Sequence, residues 1–433
     1  MEEQSNSPRY PAYPRYKDSG IDWLGQVPEG WETRRLKYLS KTKLRYGANE
    51  SGVAYDKALP RYIRITDFSH DGKLSGKGKL SLTFAQSEGY YLEDGDILFA
   101  RSGATVGKSY QFRKRMERED HYAFAGYLIK CSPDENIILS DYLFYYTNSI
   151  VFNKWKDSVF SKATIENIGA DKYSNLSVPF PSLQLQYSII AFLDKKVAQI
   201  DRAVAQKEEL ITLLQERRQV LIQQAVTRGL DPDAPLKDSG IDWIGEIPAH
   251  WEVMNLRYAF KFLDSKRVPL SSVDRESRTG PYPYYGASGI IDYVDDYLFD
   301  EELILIAEDG ANLLSKSTPL AFVASGKFWV NNHAHVLKPK FTGFKYWAEL
   351  LSLIDYTTSI TGAAQPKLSR ENLGSIKVIV PTSGEITQIS EYVDEVSLKV
   401  KKAIALQQEQ IARLREYKTV LIDEAVTGKI KVS

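Results

Sequence analysis

The sequence predicts mixed α/β: two pseudo-symmetric globular domains joined by two long antiparallel helices that form a coiled coil. Two observations carry this. The first is a heptad seam. Leu193, Val197, Ile200, Val204, Lys207, Ile211, Leu214, Arg218, Leu221 and Ala225 follow an unbroken 4-3-4-3 spacing, which needs a partner helix to bury it. The partner lies 200 residues on: Val393, Ser397, Val400, Ile404, Gln407, Ile411, Leu414, Lys418, Leu421 and Ala425. The polar interruptions at Lys207 and Arg218 recur as Gln407 and Lys418. The second observation is a duplication. KDSGIDWLGQVPEGWETRRLKY (Lys17–Tyr38) returns as KDSGIDWIGEIPAHWEVMNLRY (Lys237–Tyr258), with 13 of 22 positions identical. Self-similarity over so long an interval marks an internal repeat.

Taken in order, residues 1–16 are polar and proline-rich and read as a flexible arm. A first domain spans 17–180 and the first long helix 181–230; a linker covers 231–236. The second domain spans 237–380 and the second helix 381–433. Each repeat opens on a Trp-Gly-Pro-Trp segment (Trp23, Gly25, Pro28, Trp31; Trp243, Gly245, Pro248, Trp251) and ends its helix in Ala-Val-Thr. Between them, short β-rich runs such as GDILFAR, HYAFAGYLIKC, LILIAEDGA and KFWVNNHAHVLKP lie between Gly, Asp and Ser breakers, the pattern of strands. Asp141–Asn153 and Phe344–Ile354 are the helical stretches of these regions.

With 433 residues the chain exceeds what one core organises. No apolar run approaches the ~18 residues of a membrane span, and the start lacks a signal-peptide hydrophobic stretch. A single cysteine, Cys131, excludes an internal disulfide and makes a reducing cytoplasm the expected compartment. Basic and acidic residues balance at 56 each. A protein that grips nucleic acid alone usually carries a basic excess, so any such grip has to be local or shared with a partner.

No catalytic constellation emerges. Ser102-Gly103-Ala104-Thr105-Val106-Gly107-Lys108 imitates a phosphate loop but has three residues, not four, between its glycine and the Gly-Lys pair, and no amphipathic helix follows. Exposed Arg101, Ser102, Thr105 and Lys108 could still hold a phosphate or a base edge. His333 and His335 alternate along an expected strand and would share a face, with no third ligand to complete a metal site; no metal is expected. Arg61 and Arg64 lie in another expected strand, and Lys162, Tyr284, Tyr285, Asn331, Asn332, His333, Gln365 and Lys367 complete the candidate DNA contacts, since Asn and Gln can read adenine, and Arg and Lys guanine.

On the duplicated KDSGIDW segment, the GDILFARSGATVGK, YPYYGASGIIDYV and NNHAHVL stretches and the two helical closers, the chain resembles the DNA-specificity subunits of type I restriction–modification systems over nearly its whole length. The resemblance implies that each globular region is a target-recognition domain for one half of a bipartite, asymmetric site on double-stranded DNA. It implies partners: two methyltransferase (modification) subunits, and restriction subunits for translocation and cleavage. Lys207, Arg218, Gln407 and Lys418 would fix helix register or dock those subunits. It also implies no catalysis and no cofactor in this chain; S-adenosylmethionine, ATP and Mg2+ would belong to the partners. The alternatives are a coiled-coil protein-interaction scaffold with two ligand-binding domains, or an enzyme using the 101–109 loop.

Overall fold

The computed structural model describes residues 10–68, 74–103, 106–116, 119–160, 167–309, 312–315, 318, 320–362 and 366–432. Two compact units divide the chain: residues 1–206 with 409–433, and residues 207–408. The boundary falls inside both long helices, α1 (Leu183–Arg228, 46 residues) and α2 (Ser383–Val426, 44 residues). Each unit therefore owns part of each helix.

In the first unit, a four-stranded antiparallel sheet carries β1 (Arg45–Tyr46), β2 (Ile97–Ala100), β3 (Ser109–Gln111) and β4 (Leu128–Cys131) in the order β1-β4-β2-β3. Both β2 and β4 are buried throughout, as the unbroken apolar run ILFA requires; the one charge in LIKC, Lys130, is paired with Asp96 at 3.1 Å. Phe99 stacks on Tyr173 with centroids 4.5 Å apart. A second four-stranded sheet contains Arg61–Ile63 and Tyr122–Phe124. Its strand Arg61–Ile63 is buried at all three residues, which corrects the expectation that Arg61 faces DNA. Arg61 is 3% exposed, with Nη1 3.7 Å from Glu119 Oε2. Lys79 (2.6 Å), Tyr55 (3.1 Å) and Tyr122 also donate to Glu119.

The second unit repeats the plan. β5 (Phe260–Phe262), β6 (Leu303–Ala307), β7 (Ala321–Ala324) and β8 (Ala334–Pro339) form an antiparallel sheet in the order β5-β8-β6-β7. A second sheet holds Thr279–Gly286 and Lys327–Val330. The expected helices appear as Ser140–Thr147 with Ile150–Phe160, and as Phe344–Leu353. No helix among the described residues is long and apolar enough to cross a membrane.

Within each unit the long helices pair antiparallel. In the first, Leu193, Ile200, Val204, Ile411, Leu421 and Ala425 are buried, and Lys418 Nζ reaches Asp201 at 2.7 Å. In the second, Lys207 donates to Gln407 at 3.2 Å and Arg218 to Ser397 at 3.1 Å and Glu349 at 3.2 Å. Seam positions 207, 211, 214 and 218 and their partners 397, 400, 404 and 407 stay half-exposed, leaving a groove lined by Arg218, Ser397, Val400 and Ile404.

The duplicated segments cap these helices. Gly428 adopts φ +71°, and a Cβ there would lie 2.5 Å from Pro28 and 3.2 Å from Trp31. Gly229 (φ +76°) faces Trp251 in the same way, at 3.2 Å. Only glycine combines a left-handed C-cap with this approach. Within residues 10–16, expected as loose arm, three tyrosines are anchored: Tyr10 lies edge-on to Phe192, Tyr13 edge-on to Trp31, and Tyr16 Oη donates to the Gly428 carbonyl at 3.1 Å.

Candidate nucleic-acid interface

The central strands β2 and β6 end alike. After Ala100 the chain runs through Arg101 and Ser102, turns at Gly103 (φ +76°), and returns at Gly107 (φ +80°) into β3. A strand follows the loop, so no helix N-terminus is presented to a phosphate. Ser102 bridges to Asn167, the Ile168 N–H donates to the Arg101 carbonyl at 2.8 Å, and the Arg101 N–H to the Tyr127 carbonyl at 3.1 Å. In the second unit Asp309 bridges to Lys367, the Leu368 N–H donates to the Glu308 carbonyl at 2.7 Å, and the Glu308 N–H to the His333 carbonyl at 2.9 Å. Four backbone positions thus correspond: 101 with 308, 102 with 309, 167 with 367, and 127 with 333. The scaffold is the same and the side chains are not.

In the first unit the Arg101 guanidinium lies 4.7 Å over the Tyr46 ring, and Nη1 approaches the Gly126 carbonyl at 3.4 Å. Tyr46 Oη in turn accepts from the Ala170 N–H at 3.0 Å. Tyr127 beside them is 63% exposed. Lys108 sits just before β3, its carbonyl accepting from the Ala100 N–H at 2.8 Å.

The second unit builds an ionic cluster. Arg267 donates to Glu308 at 2.6 Å and to the Ala334 carbonyl at 2.6 Å; Lys367 reaches Glu308 at 3.2 Å. Buried His335 has one ring nitrogen 2.8 Å from Asp264 and the other 2.8 Å from the Leu368 carbonyl. His333 pairs with Asp309 at 2.8 Å. Burial pushes the Asp264 carboxyl up, but the His335 hydrogen bond and charge, the Val336 N–H and Arg267 outweigh it and hold it below the usual range. Glu308 is also lowered: burial opposes this, and the Arg267 hydrogen bond and the neighbouring cations prevail.

Several sequence expectations change. His333 lies in the turn before β8, half-exposed, whereas His335 is buried in the strand, so the two do not share a face. No group of three or more metal-ligating side chains occurs among the described residues. Asn331 is 5% exposed, its Oδ1 accepting from the His333 N–H. Tyr284 is fully buried on the other sheet, its Oη accepting from the Leu270 N–H. Tyr285 packs against Phe322 and Phe328. Arg64 is held by Asp67 at 3.2 Å and by the Gly78 carbonyl. Thr105, Lys162 and Gln365 lie outside the described residues. Arg101, Ser102 and Lys108 come together in one unit, and Asn332, His333 and Lys367 in the other. Tyr46, Tyr127, Asn167, Glu308 and Asp309 were missed. Aligning GDILFARSG with EELILIAEDG on Ala100 and Ala307 would have found the last two. Cys131 is fully buried, and burial pushes its thiol up to about 12 despite a hydrogen bond to Ser40, which removes it as a nucleophile.

The type I restriction modification DNA specificity domain matches this chain twice, over residues 28–212 and 248–414. The chain belongs to this family. Among curated members, a putative type I restriction enzyme specificity subunit of Haemophilus influenzae is 36% identical over 135 residues, covering 30% of this chain and 34% of that one. The EcoprrI specificity subunit of Escherichia coli is 21% identical over 386 residues, 87% of each. The matches span only 34% of the Haemophilus influenzae protein, 40% of the EcoDI specificity subunit of Escherichia coli and 47% of the StySPI specificity subunit of Salmonella potsdam. A solved chain described under complex assembly and conformational transition of the type I R-M system shares the fold with TM-score 0.65, 15% identity, and 93% of this chain and 99% of that one. The HsdS subunit of Thermoanaerobacter tengcongensis gives TM-score 0.50, 16% identity, and 93% and 98% coverage. As a specificity-domain protein, this chain carries its two copies on one scaffold with divergent chemistry at the strand ends.

Proposed function

We propose that this chain is the non-catalytic specificity subunit of a type I restriction–modification complex. Each unit reads one half of a bipartite, asymmetric site on double-stranded DNA, using the residues around 101 and 308. The observation that carries this is the pair of matching strand ends: a shared backbone frame presents Arg101, Ser102 and Tyr127 in one copy and Asn332, His333 and Lys367 in the other. A duplicated reader needs a constant frame and variable side chains.

The long helices set the spacer between the half-sites and dock two methyltransferase subunits. Along the mid-helices Leu210, Leu213, Val220, Leu398 and Leu406 are each 41–53% exposed, beside the half-open groove; such an unpaired apolar surface suits partner helices completing a bundle. Restriction subunits join that complex in the cytoplasm. S-adenosylmethionine, ATP and Mg2+ are bound by the partners, not by this chain. The neutral net charge fits a protein whose partners supply most of the phosphate contacts.

The test is a domain exchange. Residues 40–178 are replaced by those of a relative, the chain is co-expressed with its modification subunits, and methylated sites are mapped across the host genome. One half of the site changes and the other is retained. A change in both halves, or methylation without sequence preference, refutes the modular reading.

A further inference from the structure

On the reading that the first unit recognises one half-site, we propose that Arg101 is a specificity-determining residue that reads the O6/N7 acceptor edge of a guanine. Three observations carry it. The guanidinium is positioned before DNA arrives: it lies 4.7 Å over the Tyr46 ring, itself anchored by the Ala170 N–H. Its guanidinium makes one long hydrogen-bond approach, Nη1 to the Gly126 carbonyl at 3.4 Å. No carboxylate among the described residues neutralises it, whereas Arg61, Arg64 and Arg113 in the same unit all pair with acids. A planar fork held by a ring face matches the two acceptors of guanine, the commonest specific contact an arginine makes.

The third observation separates base reading from phosphate gripping. Both half-sites have the same sugar-phosphate backbone, so a phosphate-gripping residue would stay cationic in both copies. The corresponding position in the second unit is Glu308, on the same backbone frame, with its carboxylate occupied by Arg267 and Lys367. Charge reverses where the frame is constant. That is the pattern of a position that distinguishes the half-sites by their bases. Ser102 corresponds to Asp309 on the same frame, and the neighbouring Tyr127 to His333.

The experiment uses the full chain assembled with its modification subunits. Wild type, Arg101→Lys, Arg101→Gln and Arg101→Ala complexes each select from duplexes with both half-sites randomised, and thermal melting of every variant is recorded. All three substitutions should lower the preference for guanine at one position of the first half-site by at least about fivefold, with the second half-site unchanged. The lysine variant keeps the charge and the stem, so it reads this loss even where alanine lowers the melting temperature. Uniform weakening over all sequences with a shallower salt dependence would make Arg101 a phosphate contact and overturn the proposal; unchanged preferences would overturn it as well. A wild-type complex that selects no sequence at all would refute the DNA-specificity reading itself, an outcome distinct from either.

Discussion

Lys207 Nζ lies 3.2 Å from Gln407 Oε1, and the two residues occupy the same seam position in copies of one repeat 200 residues apart. A polar pair in an otherwise apolar seam costs stability but penalises slipped pairings, which would set each member against an apolar neighbour. The double variant Lys207→Leu/Gln407→Leu should melt several degrees higher and lose register definition. Distances between spin labels placed on the two helices within the second unit should broaden or become bimodal. A narrow, unshifted distribution would leave the pair without a register role.

Gly428 and Gly229 make a matched comparison. Both are left-handed caps, yet a Cβ at 428 would sit 2.5 Å from Pro28, while at 229 the nearest atom is 3.2 Å away on Trp251. Gly428→Ala adds a collision to the backbone strain, so it should cost about 2 kcal/mol or more. Gly229→Ala should cost closer to about 1 kcal/mol. Urea unfolding of the two variants orders them; equal losses would mean that the Pro28 contact relaxes freely.

Glu119 gives the first unit an acid-sensitive core. Burial alone would raise its carboxyl, but hydrogen bonds from Lys79, Tyr122 and Tyr55 and the charge of Arg61 bring it from 4.5 to about 2. A carboxylate lowered on folding contributes its full stabilisation above its unfolded pKa and loses it as pH falls through the folded one. Stability should therefore decline between about pH 4.5 and about pH 2. Glu119→Gln should remove that part of the decline and cost about 3 kcal/mol at pH 7, because Arg61 and Lys79 are left facing an uncharged amide. Denaturant melts across that pH range measure both effects.

Much of the architecture was legible because periodicity and duplication are encoded locally. The 4-3 spacing from Leu193 marks α1, and runs such as LILIA could only be buried strand. The candidate site side chains were less legible, since exposure depends on contacts distant in sequence. Arg61 reads like a surface cation until Glu119, 58 residues away, is seen to hold it. His333 and His335 alternate on paper, but the chain turns at 333 and only 335 enters the strand. Glu308 and Asp309 looked like the tail of a strand. Their part in the site emerges only when Lys367, from a remote segment, bridges beside them.

The two units differ in how their pieces are distributed along the chain. The second is continuous, residues 207–408; the first needs 409–433 as well as 1–206. Asp423 accepts from the Val151 N–H at 2.8 Å, Tyr142 Oη donates to the Val426 carbonyl at 3.0 Å, and the Pro11 carbonyl accepts from the Lys431 N–H at 2.6 Å. During synthesis, then, the second unit has all its parts once residue 408 has left the ribosome, while the first, made earlier, waits with its helix seat and N-terminal dock empty until the last segment arrives. The half translated first is the half completed last, and its unfinished surface is the one that chaperones or an early-binding partner would meet.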